Sequence, residues 1–316
     1  MMTRRFPVWC LCCLPLLLHA GGVAAQIDLA GYWAVESHQD RLKEGRGPLP
    51  ADWSGIPLNA EGRAAGLSFA ADSLEELQRQ CHPWPVTYIV TGGFGFRIWS
   101  TADHYGVANA WHIDGSLDRM PMTIWIDGRK PPPPDALHTY SGFTTGHWEG
   151  DTLVTETTLI KDSLLERNGA PNSNQETFRM FITRHNDELT ITGIVRDPVY
   201  LEAPMVLAQT WRLSPAGSPN SQLDLCNPSE TIEGLSDGYH FLTVLPGRNS
   251  SENFMAQHYN VPLDASHGGA RTMYPEFRQQ LMKDGYRPPS NYCTMNCCMG
   301  DVFGGGPKAV CDVHVF

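Results

Sequence analysis

From Val86 to Ser214 apolar and polar residues alternate in short runs, the two-residue period of strands that bury one face. The runs are "VTYIVTG", "GFRIWS", "GVANAWHID", "MTIWID", the halves either side of "HWEGD", and "MVLAQTWRLS". "TFRMFITR" and "ELTITGIVR" flank the polar "HND", which predicts a hairpin. Upstream, "QIDLAGYWAVE" reads as a first strand and the stretch to Pro57 as loop. Residues 58–80 read as helical, with Ser73 as an N-cap and Glu76 three residues on.

About nine or ten short strands with no helices between them predict a mainly β chain: an antiparallel β-barrel, lipocalin-like, or a sandwich. Past Ser214 the alternation stops. "SPAGSPNSQ" is linker-like, "YPEFRQQLMKDG" predicts a short helix ended by Gly285, and a cysteine-rich tail follows. The expected organisation is a signal peptide over 1–25, a barrel domain over 26–214 and a C-terminal appendage over 215–316.

The opening residues change the picture of where the chain works. Arg4 and Arg5, an apolar run from Phe6 to Leu18, and small residues at Val23 and Ala25 have the form of a secretory signal, so a periplasmic or secreted location is expected. No stretch reaches the roughly 20 apolar residues a spanning helix needs, so stable membrane insertion is not expected. The net charge is −11, and losing Arg4 and Arg5 makes it −13, which disfavours nucleic acid and anionic membranes as partners. Outside the signal stand six cysteines, Cys81, Cys226, Cys293, Cys297, Cys298 and Cys311. In an exported chain an even number reads as disulfides before metal. A bridge between Cys81 and Cys226 would close a long loop. Adjacent Cys297 and Cys298 are expected to pair with Cys293 or Cys311.

In "SGFTTGHWEGDTLVTETTLI" Gly150 supplies the positive φ of a tight turn, and Glu149 and Asp151 read as turn residues with Trp148 as the apolar anchor. This segment, with "IWIDGRKPP", "RNGAPNS" and "RDPVYLEAP", resembles a large family of exported bacterial proteins that share the order DGR, WEGDTLV, DPxY. The resemblance spans roughly residues 27–230 and implies a β-barrel-like fold and export, with little about reaction. Thr144 and Lys130 depart from the family pattern, as does the tail after about residue 235.

No G-x-S-x-G elbow, H-E-x-x-H or Walker A loop is present, and "GGFGF" lacks the context of a dinucleotide site, so no organic cofactor is expected. "HGGA" at His267 resembles a lipase oxyanion loop without its serine. His240, His258, His267 and His314 have no metal spacing, and no metal is expected. His112 and Asp114, two apart, must share one side of a strand; if that side is inward they form a general base, otherwise a solvated strand end. Asp127 and Arg129 read as a buried ion pair able to hold a ligand oxygen, or as a turn. Tyr140 is a further catalytic candidate, and Arg97, His147, Glu156 and Asp197 are further candidates for ligand contact.

Two functions fit. One is an exported, cofactor-independent lyase or isomerase acting on a small, largely apolar terpenoid, steroid or aromatic, with His112 and Asp114 moving the proton and Arg129 or Tyr140 steadying charge on oxygen. The other is a carrier that captures such a ligand without changing it.

Overall fold

The computed structural model describes residues 27–35, 51–69, 83–91, 95–115, 121–166, 168–215, 244–245, 247–249 and 252–286. The signal segment, Ser73 and Glu76, all six cysteines, His240 and His314 lie outside them, as does the side chain of His258.

Among the described residues eleven strands follow in order: β1 Gly31–Val35, β2 Phe96–Ala102, β3 Ala108–Gly115, β4 Met122–Trp125, β5 Phe143–Glu149, β6 Thr152–Thr158, β7 Ser163–Leu164, β8 Pro171–Asn172, β9 Thr177–His185, β10 Glu188–Arg196 and β11 Met205–Leu213. All but β7 and β8 close into one barrel, in the order β1, β11, β10, β9, β6, β5, β4, β3, β2 and back to β1. The short β7–β8 ladder is an excursion between β6 and β9. The barrel is mixed rather than wholly antiparallel, because β4 and β5 run parallel, with Ile124 opposite Thr144. The reason is parity. A ring of nine strands that alternate in direction leaves two like-directed neighbours, and the long connection from Ile126 to Gly142 provides them by returning the chain to the end where β4 began.

Alternation decides which residues fill the barrel, since residues opposite one another in a ladder face the same way. Following the registers around the ring puts Trp33, Phe96, Ile113, Ile124, Ile182, Ile191 and Trp211 on the inner side. All belong to one contiguous core, and Trp33, Phe96 and Trp211 have no exposed surface. Phe96 meets Trp211 with ring centroids 4.8 Å apart at 53°, a tilted aromatic contact. Through the barrel's midsection the lumen is therefore a side-chain core, filled as small barrels are.

The two ends differ. At one, the hairpin end, the chain turns at 103–107, 150–151 and 186–187, using Gly106 (φ 79°), Gly150 (φ 60°) and Asn186 (φ 57°). The hairpins predicted at "HWEGD" and "HND" are both present, and Trp148 packs against the core as the expected anchor. The opposite end is sealed by chain segments. Trp53, Ile56, Leu58, Val86, Ile89, Val90, Leu165 and Leu201 all join the barrel core there. Helix α1, Ala60–Leu67, starts at Asn59, whose side chain accepts from Gly62 N at 2.8 Å. A Cβ on Gly62 would stand 2.5 Å from the Tyr200 carbonyl, so glycine lets this helix press on the β10–β11 connection.

The segment "VTYIVT" differs from its expected strand. It forms a helical turn, α2, Tyr88–Thr91. Its apolar residues are buried on all sides rather than alternately, a pattern that short helices and buried strands share. Val86, Ile89 and Val90 enter the barrel core, while Tyr88 stacks on Trp84 at 4.3 Å. Beyond the barrel, residues 252–286 contain α3 Phe254–Tyr259, α4 Leu263–Ser266, a 3₁₀ turn Ala270–Met273 and α5 Pro275–Lys283, the helix read in "YPEFRQQLMKDG". They dock on residues 53–56, with Trp53 N donating to Ser266 O (2.7 Å) and Gly269 N to Ile56 O (2.8 Å). Of the "HGGA" backbone, Gly269 N is spent in this contact, while His267 N donates to Leu263 O and Ala270 N to Glu202 Oε1. Among the described residues no helix is long and apolar enough to cross a membrane.

The fit of α2 rests on Gly193, where an added Cβ would lie 2.7 Å from Phe178 Cε2 and 3.0 Å from Val90 Cγ2. Gly193→Ala should therefore destabilise the fold by about 1–3 kcal/mol through overpacking, read as a lower urea midpoint. Adding Val90→Ala should recover part of that loss, a less-than-additive double mutant.

Candidate functional site

The candidates from the sequence fall into three groups. His112, Asp114, Arg97, Asp127 and Arg129 share the outer wall of β2–β4 and the loop that leaves it. His112 and Asp114 do face the same way, but that way is outward, since Trp111 and Ile113 between and beside them face the core. His112 stacks on Trp99 (5.2 Å, 21°), and its Nε2 and Nδ1 lie 3.0 and 3.1 Å from the hydroxyls of Thr101 and Thr123. Burial pushes its pKa below the ordinary histidine value. An imidazole with both nitrogens engaged is positioned, not free to take a proton from a ligand. Arg97, opposite Asp114 in register, lays its guanidinium over Tyr32 (5.5 Å) and Trp99 (5.2 Å), and Asp114 Oδ1 is shielded without a hydrogen-bond partner among the described residues.

Asp127 and Arg129 form the expected ion pair, Nε to Oδ1 at 2.9 Å, with the guanidinium 3.4 Å above the Trp125 ring. The pair is exposed rather than buried, because it sits at the start of the β4–β5 return. The hydrogen bond from Arg129 holds the Asp127 carboxyl down at about 2.

A second group is scattered. His147 and Glu149 pair at 2.8 Å in the open at the hairpin end. Glu156 is exposed on the outer face of β6, in register with Arg179. Tyr140 lies on the β4–β5 return, its ring under Lys161 Nζ (5.0 Å) and its carbonyl accepting from Val86 N (2.8 Å). The fold does not bring these residues to His112.

The third group is at the sealed end, where Asp197 is 3 % exposed. Its carboxylate accepts from Ser173 N (2.6 Å), Ser173 Oγ (2.8 Å), Val199 N (2.9 Å) and Tyr200 N (3.1 Å). The segments "RNGAPNS" and "RDPVY" are thereby joined. Beside Asp197 is Glu176, 1 % exposed and immediately ahead of β9. Removal from water pushes the Glu176 pKa well above the ordinary carboxylate value, and the charge of Asp197 pushes the same way. The Asn172 amide and the Thr87 hydroxyl lie beside it and oppose this weakly. Burial, then Asp197, also raises Tyr200.

The sequence reading missed Glu176, Asn172 and Thr87. The available signal was Glu176 standing two residues before inward Phe178, in the only polar stretch between β8 and β9.

The inner wall towards the hairpin end holds another set. Trp111 Nε1, Trp148 Nε1 and Thr155 Oγ1 are all shielded and have no hydrogen-bond partner among the described residues. Thr155 lies opposite Gly146, Trp148 is the next inward residue on β5, and Trp111 is opposite Ile124, whose Cγ2 would be 2.8 Å from a Cβ on Gly146. Inward-facing Ser100, Trp148, Arg184, Gln209 and Leu213 emerge partly to solvent here.

Two outcomes test the sealed end. Asp197→Ala strands four donors and should cost about 3–5 kcal/mol in urea unfolding, whereas Ser173→Ala, which loses one hydroxyl, should cost about 1 kcal/mol. Glu176 contributes most below the glutamate value of 4.5, and that stability is lost as pH rises towards its raised folded value. Glu176→Gln should therefore match the wild type near pH 4 and exceed it increasingly above pH 5, by about 1.4 kcal/mol for each unit of displacement, in urea midpoints measured against pH. Comparison of the chain with protein-family models, curated proteins and solved structures finds no match.

Proposed function

We propose that the protein is an exported carrier that captures a small, largely apolar, carbonyl-bearing molecule of terpenoid, steroid or aromatic type at the hairpin-end mouth of the barrel. The observation that supports this reading is the trio of unpaired donors, two indole N–H groups and a hydroxyl, set among core side chains on the inner wall. Barrel mouths are habitual ligand sites, and a few donors among apolar walls fix the orientation of a guest's oxygen. The opposite end is closed by core side chains, so entry is from the mouth.

The trio also favours capture over catalysis. Indole N–H and threonine hydroxyl groups donate hydrogen bonds without titrating near neutral pH, so they orient an oxygen and move no proton. Lyase or isomerase chemistry requires a titratable pair facing the ligand, and His112 with Asp114 faces the other side of the wall. Arg184, the charged group at the mouth, donates to the carbonyls of Asn186 and Asp28 and lies 5.2 Å from the Trp33 ring. Its role is to close the wall.

Native mass spectrometry with a panel of ring-bearing ketones and lactones tests the reading. At least one should bind one-to-one and be recovered unchanged. Trp148→Phe keeps the ring and removes the donor, and should weaken binding about fivefold to tenfold, the worth of one hydrogen bond. Deuterium appearing in recovered ligand after incubation in D2O would replace the carrier reading with the proton-transfer enzyme.

A further inference from the structure

The ring of His138 ties the long β4–β5 connection to the chain leaving β6. His138 is half-buried, with Nδ1 3.0 Å from Ile160 O and Nε2 3.3 Å from Pro134 O. Both partners are backbone carbonyls, and a carbonyl oxygen only accepts. Each bond therefore needs a proton on its own ring nitrogen. A neutral imidazole carries one N–H and makes one of the two bonds; an imidazolium carries two and makes both. His112 is the contrast, because its partners are the hydroxyls of Thr101 and Thr123, which also donate and so satisfy a neutral ring.

The two carbonyls belong to different parts of the fold. Pro134 ends the exposed proline run of the connection, and Ile160 follows β6 at the sealed end, ahead of the β7–β8 excursion. The backbone at this joint is held in an unfavourable conformation, since buried Leu159 has a φ of 58°. A residue with a Cβ keeps that conformation only where its surroundings impose it. Here Thr139 N donates to Leu159 O (3.0 Å), Lys161 N donates to Thr139 O (2.9 Å), and the His138 ring reaches Ile160 O. On the other side Ala136 N donates to Pro133 O (2.9 Å), a turn that precedes the ring.

We infer that His138 is a proton-dependent clasp, closed across Ile160 and Pro134 when both ring nitrogens carry protons and half open when one proton is lost. Imidazoles exchange that proton between about pH 5 and 8, so the clasp tightens in acid and slackens as pH rises. The titratable and charged side chains on the clasped segments are Asp135 and Tyr140 on the connection and Lys161 and Asp162 beyond Ile160. None of them supplies either bond that holds the ring, and Lys161 Nζ lies over the Tyr140 ring at 5.0 Å. Glu176 acts in the same direction at the same end of the barrel, since burial favours its protonated form. The slack state loosens the proline run and Leu137 beyond it, whose side chain is 86 % exposed. This holds whatever the mouth binds.

Hydrogen exchange of the full-length protein, at about pH 5.5 and about pH 7.5 and corrected for intrinsic rates, tests the clasp. Relative to the β9–β10 hairpin, amides of residues 135–142 and 159–161 should lose about twofold to fivefold of their protection at the higher pH, the worth of one hydrogen bond. His138→Phe keeps a ring and removes both donors, and His138→Asn keeps one short amide. Each should show the same relative protection at both pH values. Nitrogen NMR of the wild-type ring should find both nitrogens protonated where the segment is most protected. Equal relative protection of the wild type at the two pH values overturns the inference, as does a pH response that either folded variant retains in full. A ring holding one proton under the conditions of greatest protection overturns it as well. The two wild-type measurements decide the matter even where a variant fails to fold.

Discussion

Nine strands cannot close into a ring with every neighbour antiparallel, and the architecture follows from how this chain meets that constraint. One pair, β4 and β5, has to run the same way, and a parallel pair cannot be joined by a tight turn. The chain must travel the length of the barrel before starting β5. It does so in the stretch holding Pro131 to Pro134, residues that have no N–H to leave unpaired and that hold an extended path. The return is then fastened: Ile126 N donates to Asn109 O, Ser141 Oγ to Pro121 O, and Thr139 bridges to Ile160. Arg129 over Trp125 with Asp127 at its side fixes the departure. The ion pair that reads in sequence as a ligand clamp or a turn thus stands where the crossover begins, with Arg129 N also donating to Asp127 Oδ1.

Closure also sorts the two ends by chemistry. Connections between antiparallel neighbours at the hairpin end are short and leave inner side chains near water. At the other end the long connections, the β7–β8 excursion and the incoming residues 51–69 and 83–91 crowd together. Buried backbone and side-chain polar groups accumulate there, and most are answered by specific partners such as Asp197 and Asn59. Glu176 is the carboxyl that burial perturbs most, pushed well above its ordinary pKa with only Asn172 and Thr87 acting against that shift. Removed from water, it favours its neutral form, which costs less to bury than the charged one.

Much of the barrel is legible in the sequence because strand period and turn chemistry are local. "TFRMFITR", "ELTITGIVR" and the turn between them contain their own register. Strand direction is not local, and nothing in "MTIWID" says that its neighbour is parallel. The run "TYIV" is apolar at every position and so carries no period to distinguish a helical turn from a strand. For His112 and Asp114 the information was present: the spacing that puts them together also puts Trp111 and Ile113 on the opposite side, and two large apolar residues claim the core. Glu176 was hidden differently. Its place two residues before inward Phe178 hints at burial, but Thr87 and Asp197, which act on it, are distant in the chain and no local window reveals them.

The β1 strand has a consequence for how the wall is built. It is only five residues long, yet it joins β2, which begins some sixty residues later, to β11, near residue 210. Until both joints form, β2 and β11 present bare edges that could recruit another copy. Bringing partners so distant in the chain together carries a larger loop-closure cost than any hairpin of this wall, so both joints are slow to form. Whatever slows the arrival of this stave prolongs the interval in which the cylinder is an open, self-adhesive sheet.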